Sequence, residues 1–399
     1  MKLLKKKLKN GITVIMEKRE LPVVSVSISN PFGGAFEKSE EKGIAHFIEH
    51  LVFTGTKTRT HEDISREIEK KGGILNAFTA NEVTSFWFKL PSEHLFAGLD
   101  IIIDIMKNPK FDEKKFEKEK KVIIEEIKMY HDTPQKHVFD KIEENLYEKP
   151  LGEGIIGSEK TIKAMTRDFV YDYYKKHYSP ENYIVTIVGN ADFEKVCGYI
   201  EKAFDKVGNK KIKEMEIKKK DGESTEERPG IDQAHFVIAF HAPLANEPER
   251  YALEVLDAYL ASGMSSKLFL KIREEKGLAY TVRGSLNMEK NYSYYSIYVG
   301  TTKEKVEEVK KDIIDEFNAI DSMSEKNLEE AKEQLIGLKR LAKEESSNVM
   351  NELMYAKLQG DVDEYYGYEN RVRKVKLGDV KKLAKDLIKR YSTAAIVPK

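Results

Sequence analysis

Eleven residues, Gly43-Ile44-Ala45-His46-Phe47-Ile48-Glu49-His50-Leu51-Val52-Phe53, set conditions that few folds can satisfy. Read as a helix, the stretch is apolar on nearly every side and so belongs in a core. Yet it carries two imidazoles and a carboxylate. His46 and His50, four residues apart, share one helical face, and Glu49 projects from nearly the same side. Left unpartnered in an apolar interior, such groups would be destabilising by several kcal/mol. A divalent cation resolves the conflict. Two neutral imidazoles ligate it, and the carboxylate beside them takes a proton from the water it polarises.

The order His-x-x-Glu-His inverts the common His-Glu-x-x-His helix and is the signature of the inverted zinc peptidases. The pentad taken alone also reads as two core histidines bonded to backbone, and a third ligand decides between the readings. Catalytic zinc takes three protein ligands and keeps one position for water. The best candidate lies in Glu119-Lys120-Lys121-Val122-Ile123-Ile124-Glu125-Glu126-Ile127. On a helix Glu126 shares the inward face with Glu119, Val122, Ile123 and Tyr130, while Glu125 sits with Lys118 and Lys121 on the solvated side. Periodicity therefore picks Glu126 as the ligand. Glu119, two turns earlier, is placed to accept a hydrogen bond from a ligand histidine and fix its tautomer. Without the pentad, this stretch reads as an ordinary amphipathic helix.

Length and charge narrow the rest. At 399 residues two domains are the default. The 68 basic and 68 acidic residues cancel, so nothing in the charge argues for nucleic acid or an anionic membrane as partner. The lone Cys197 excludes a disulfide framework and fits a reducing, cytoplasmic location. The basic start, Met1 to Leu8, is followed by an Asn10-Gly11 turn rather than an apolar signal core, and no apolar run is long enough to span a bilayer.

Along the chain, Val23 to Ser29 alternates like a half-buried strand, and Gly55 stands where a left-handed cap would end the histidine helix. A helix over 61–71 follows, then Ile74 to Thr79 and the strand Thr84 to Leu90. Helices over 93–106 and 112–130, further helical segments, a buried strand at Tyr183 to Gly189 and a helix over 193–204 complete a first domain, 1–207. Residues 208–230, rich in Lys and Glu with Asp221-Gly222 and Pro229-Gly230, show no apolar period and read as a linker. The order of elements then repeats across 231–399, ending on a strand at Thr393 to Val397, as expected of a diverged duplication. Aligning Thr54-Gly55 with Ser262-Gly263 places Glu254, Asp257 and Ala258 where His46, Glu49 and His50 stand. The second copy has no imidazole to offer. The fold expected is α+β: two homologous domains, each a mainly antiparallel sheet packed with helices.

The pentad within Gly-Ile-Ala-His-Phe-Ile-Glu-His-Leu-Val-Phe-Thr-Gly-Thr, followed by Glu119 and Glu126 in Glu-x6-Glu spacing, resembles the pitrilysin-type (M16) zinc metallopeptidases. That family includes mitochondrial processing peptidase, insulin-degrading enzyme and pitrilysin. The resemblance spans essentially the whole chain, whose length matches the short, processing-peptidase-like branch. It implies zinc as cofactor, Glu126 as third ligand with His46 and His50, and Glu49 as catalytic base. It also implies that the strand carrying Asn76, Ala77, Phe78 and Thr79 takes up extended peptide by main-chain pairing. In Arg273-Glu274-Glu275-Lys276-Gly277-Leu278-Ala279-Tyr280, Arg273 and Tyr280 match a pair that in the family binds substrate and stabilises the carbonyl oxyanion. Short members work as dimers in which each zinc half faces the opposite half of its partner. A homodimer enclosing a chamber, with peptides or unfolded segments as substrates, is the resulting expectation.

Gly263-Met264-Ser265-Ser266 resembles a glycine-containing substrate loop of the family. His61, His94, His131, His137, His177, His235 and His241 lack metal-ligand spacing to one another and read as structural or exposed. Three alternatives stay open: a catalytic subunit of a hetero-oligomeric processing peptidase, a non-catalytic scaffold subunit of the same family, and an S-ribosylhomocysteine-lyase-like enzyme. The complete pentad argues against the scaffold. The chain length and the placement of Cys197 argue against the lyase.

Overall fold

A computed structural model describes residues 2–204 and 215–399. In the first half of the sequence the strands are β1 (Lys2–Lys7), β2 (Thr13–Lys18), β3 (Val23–Asn30), β4 (Ile74–Thr79), β5 (Thr84–Pro91) and β6 (Ile184–Gly189). Its helices are α1 (Ile44–Phe53), α2 (His61–Glu69), α3 (Leu95–Lys107), α4 (Glu113–His131), α5 (Pro134–Leu146), α6 (Glu159–Ala164), α7 (Arg167–His177) and α8 (Phe193–Ala203). The second half holds β7 (Glu223–Arg228), β8 (Ala234–His241), β9 (Thr281–Met288), β10 (Ser293–Thr301) and β11 (Ser392–Pro398). Its helices are α9 (Arg250–Leu260), α10 (Val306–Asn318), α11 (Glu325–Ala342), α12 (Ser346–Gln359), α13 (Asp363–Lys374) and α14 (Leu377–Leu387). No helix among the described residues is long and apolar enough to cross a membrane.

The strands form two sheets, ordered β1-β2-β6-β3-β5-β4 and β7-β11-β8-β10-β9. Each is antiparallel apart from one pair, β2 with β6 and β7 with β11. With β1 set aside the two orders are the same, which is the duplication at the level of topology. It also makes β7 the counterpart of β2 and corrects the reading of 208–230 as a linker. Residues 208–214 lie outside the described ones, but Glu223–Arg228 is the first strand of the second copy. Its sequence, Glu-Ser-Thr-Glu-Glu-Arg, hides this because β7 is an edge strand whose outward positions are solvated. Its equivalent β2 is covered by β1 and is apolar accordingly.

The chain divides into two compact units that are not contiguous in sequence. The first comprises 1–128, 154–215 and 342–362; the second comprises 129–153, 216–341 and 363–399. Each unit thus takes a helix from the other half of the chain, which a division at 207 and 231 does not foresee. In the first unit β3 shows why. Val24, Val26 and Ile28 join the core built with Ile44, Phe47, Ile48 and Leu51 of α1. Ser25, Ser27 and Ser29 point the opposite way, and they too are fully buried, because α12 packs on β3 and β6. The Ser25 and Ser346 hydroxyls lie 2.9 Å apart, and Lys89 on β5 donates to Glu345 at 2.5 Å. A strand patterned as half-buried is therefore buried on both faces.

The second unit repeats the device with α5 against β8 and β11. Phe236, Ile238 and Phe240 enter its core. Asn145 donates to the Thr393 carbonyl at 2.8 Å and to the Ser224 hydroxyl at 2.7 Å, and the Tyr147 hydroxyl donates to the Ser293 carbonyl at 2.9 Å.

Candidate metal centre

The start of α1 is held by a buried carboxylate. Glu37 accepts from the Gly43 amide at 2.9 Å and from the Ala45 amide at 2.7 Å, two of the donors a helix N-terminus leaves unpaired. Burial pushes Glu37 up to about 7, against the pull of Lys42 4.0 Å away and of those two amides. Gly43 adopts φ 94°, and a Cβ there would stand 2.6 Å from the Ile156 carbonyl oxygen, so the entry to the helix requires glycine. The histidine helix is thereby fixed in rotation as well as position.

Glu126 of α4 meets the two imidazoles of α1. Its Oε2 lies 3.7 Å from His46 Nε2 and 3.5 Å from His50 Nε2, and the two rings stand edge to face with centroids 4.7 Å apart. A zinc ion with ligands at about 2.0–2.1 Å in a tetrahedron separates its donor atoms by about 3.3 Å. The spacing observed is within a few tenths of an ångström of that. The donor set, two imidazole nitrogens and one carboxylate oxygen turned toward a common point, fits zinc. His50 Nδ1 faces Glu119 Oε2 at 3.4 Å, so the neutral ring, with its proton on that side, would present its Nε2 lone pair to a metal. The inward face of α4 is narrower than periodicity suggests: Ile123 is buried, but Val122 is exposed.

Glu49 stands apart from this donor set. Its Oε2 accepts from the Thr79 hydroxyl of β4 at 2.6 Å. Burial holds its carboxyl above the usual range, with the Thr79 bond and His50 pulling the other way. Burial and the neighbouring His50 push His46 down to about 4. Burial also opposes charge on His50, but the Glu119 and Glu126 carboxylates outweigh it and hold that ring at about 9. A cavity of about 340 Å³ opens beside Glu49, His50 and Glu119. Phe53, Asn76, His61, Lys115 and Lys118 also line it. Among these, His61 and Lys115 were missed by spacing arguments, since only the fold brings α2 and the first turn of α4 to this wall. His61 Nδ1 is tied to the Phe53 carbonyl at 3.0 Å.

Of the residues on β4, Thr79 reaches Glu49, Asn76 lines the cavity, and Ala77 packs on the core. β4 is an edge strand, paired with β5 on one side. In the second unit Arg273 lies in a π-helical segment, Phe269–Glu275, with its guanidinium 5.1 Å from the centre of the Tyr280 ring and 4.7 Å from that of Phe269. Tyr280 is 75% exposed. In the loop Gly263 to Ser266, Met264 is exposed and Ser266 buried. Where the second copy aligns with the histidine helix, Glu254 accepts from the Tyr368 hydroxyl at 2.5 Å, and burial pushes Asp257 up to about 6. A carboxylate–phenol pair occupies the place of the imidazoles. Two histidines read as isolated do not stand alone: His131 and His137 come together with Glu226.

Fold and donor set together define a two-copy α+β protein whose first copy carries a His-His-Glu group that could hold a metal ion. Residues 13–159 match the family model for insulinase, peptidase family M16, and residues 164–335 match that for the peptidase M16 inactive domain. An uncharacterized zinc protease of Rickettsia felis is 32% identical over 333 residues, 82% of this chain and 81% of that protein. The uncharacterized zinc protease YmxG of Bacillus subtilis is 31% identical over 400 residues, 98% of this chain and 97% of the relative. A protease from Helicobacter pylori shares the fold at TM-score 0.93 and 22% identity, covering 100% of this chain and 99% of that one. The chain belongs to the M16 peptidase family.

Proposed function

We propose that the protein is a zinc-dependent endopeptidase that hydrolyses peptides or unfolded segments. The observation that supports this most directly is the approach of Glu126 to both His46 and His50, with Glu49 beside them but bound to Thr79. His46, His50 and Glu126 hold zinc, and Glu119 fixes the His50 tautomer. Bound zinc supplies a Lewis acid that polarises a scissile carbonyl and acidifies water. Glu49, with one oxygen occupied by Thr79, uses the other to take the proton of the attacking water and later delivers it to the leaving amine. The edge of β4 from Asn76 to Thr79 receives the substrate as an added strand, so that main-chain pairing rather than side-chain reading sets a broad specificity.

In this reading the chain acts as a cytoplasmic homodimer around a chamber. Arg273 and Tyr280 of one subunit bind substrate and stabilise the oxyanion at the metal centre of the other. The test of the activity is chelator-sensitive cleavage of a peptide mixture by the purified chain, with metal content measured and products sequenced. Absence of cleavage by fully zinc-loaded chain would refute the proposal. For shared sites, Glu49→Gln and Tyr280→Phe homodimers should each be weak, while mixed dimers regain one intact site. No rescue after proven subunit exchange would rule out sharing, and dependence on a second, different chain would favour the hetero-oligomeric reading.

A further inference from the structure

The turn between α4 and α5 carries a second group of metal-ligating side chains. Asp132-Thr133-Pro134 ends one helix and starts the next, since proline cannot continue α4 but suits the first turn of α5. The reversal brings His137 beside His131, the rings tilted with centroids 4.7 Å apart. β7 supplies the third member. Alternation puts Ser224, Glu226 and Arg228 on its half-buried face, and Ser224 is bound there by Asn145 of α5. Glu226 Oε2 lies 3.3 Å from His137 Nε2. Ligand atoms of His131, His137 and Glu226 all fall within 4.8 Å of one another.

Three further contacts prepare these groups. His131 Nδ1 faces Asp132 at 3.4 Å and His137 Nδ1 lies 3.7 Å from Asp140, so a carboxylate stands behind each ring. This is the arrangement that orients histidine ligands in metal sites. Arg228 donates to the other Glu226 oxygen, Oε1, which orients the carboxylate and leaves Oε2 turned to the histidines. The same guanidinium donates to the His131 carbonyl and, at 3.4 Å, to His131 Nε2, a bond that a cation must displace to reach that nitrogen. A cation this close lowers the affinity for a second one, and His131 is more than half exposed. The site is therefore weaker than the one on α1.

We propose that His131, His137 and Glu226 form a second site for a divalent first-row cation such as zinc, clipping the α4–α5 corner to the edge strand β7. Two imidazoles and a carboxylate suit zinc, copper or nickel better than magnesium or calcium. The proposal is independent of the peptidase reading, and its test needs no activity. Equilibrium dialysis of the full chain against micromolar free zinc, followed by elemental analysis, should give two zinc ions per chain. His137→Ala should reduce this to one. In a His46→Ala/His50→Ala background one should remain, and it should vanish on adding His131→Ala. Zinc should also slow amide hydrogen exchange across 223–228 in that background, a change that adventitious surface binding would not produce. A wild-type stoichiometry of one, unchanged by His137→Ala, would overturn the proposal. So would zinc binding in the double variant with no protection of β7. His131→Ala, at an exposed position, keeps the test open if the His46/His50 background folds poorly.

Discussion

Replacing Glu49 by glutamine separates the role of this carboxylate from that of the ligands beside it. Glutamine has the same shape, and its amide oxygen can accept the Thr79 hydroxyl bond that Glu49 accepts at 2.6 Å. Glu49 is not among the donor atoms that converge with His46, His50 and Glu126, so metal content should equal that of the wild type. On the proposed function, what disappears is a base, and general-base catalysis contributes about 10²–10⁴-fold. The upper part of that range applies because no substitute lies close by. Glu119 is engaged by His50 and Glu126 faces both rings, leaving no other carboxylate on the cavity wall free among the described residues. The expected loss in kcat/KM is about 10³–10⁴-fold, or about 4–5.5 kcal/mol of barrier. The assay is single-turnover cleavage of a quenched fluorescent peptide, with elemental analysis and thermal melting on the same samples. Activity within tenfold of wild type would refute the assignment of Glu49 as base. Loss of zinc on this substitution would refute the division between base and ligands.

Other outcomes follow from particular contacts. Glu119→Gln removes the carboxylate behind His50 and should weaken zinc binding about 10–100-fold, or about 1.4–2.8 kcal/mol, in a competition titration with a chelator. Gly43→Ala forces a side chain into φ 94° and against the Ile156 carbonyl; urea unfolding should show a loss of about 2–3 kcal/mol. Glu345 is held down to about 2 by Lys89 and then by Ser347, against 4.5 for an ordinary glutamate. Its folded-state pKa is depressed, so its contribution is present above pH 4.5 and fades as pH falls toward 2. The side chain is about half exposed, which limits the effect to about 1 kcal/mol or less. Glu345→Gln should therefore be less stable than wild type at pH 7, and the two should converge near pH 2–3 in paired denaturant titrations.

Local patterns carried much of this protein. The four-residue spacing of His46 and His50 needs only a helix to align two rings, and the glycines at 43 and 55 mark its ends because few other residues tolerate those dihedrals. The repeat of strands and helices was legible because both copies bury the same faces. Glu126 was distinguishable from Glu125 by helical period, although exposed Val122 shows that period alone overstates the inward face.

Other features depended on partners far away in the chain. Ser25, Ser27 and Ser29 carry a solvent-facing pattern, yet they are buried because α12 returns from more than 300 residues later to cover them. β7 has no apolar signature, since an edge strand is recognised by its backbone pairing with β11 rather than by its side chains. The Thr79–Glu49 bond, the cavity wall at His61 and Lys115, and the grouping of His131 and His137 with Glu226 all join segments whose separation no helical or strand period spans. The amino-acid order by itself determined which helix presents the paired imidazoles and that only the first copy has them at that place. Tertiary structure alone decided that Thr79 engages Glu49 and which helix closes each sheet, because periodicity is set by neighbouring residues whereas convergence is set by the packing of the whole unit.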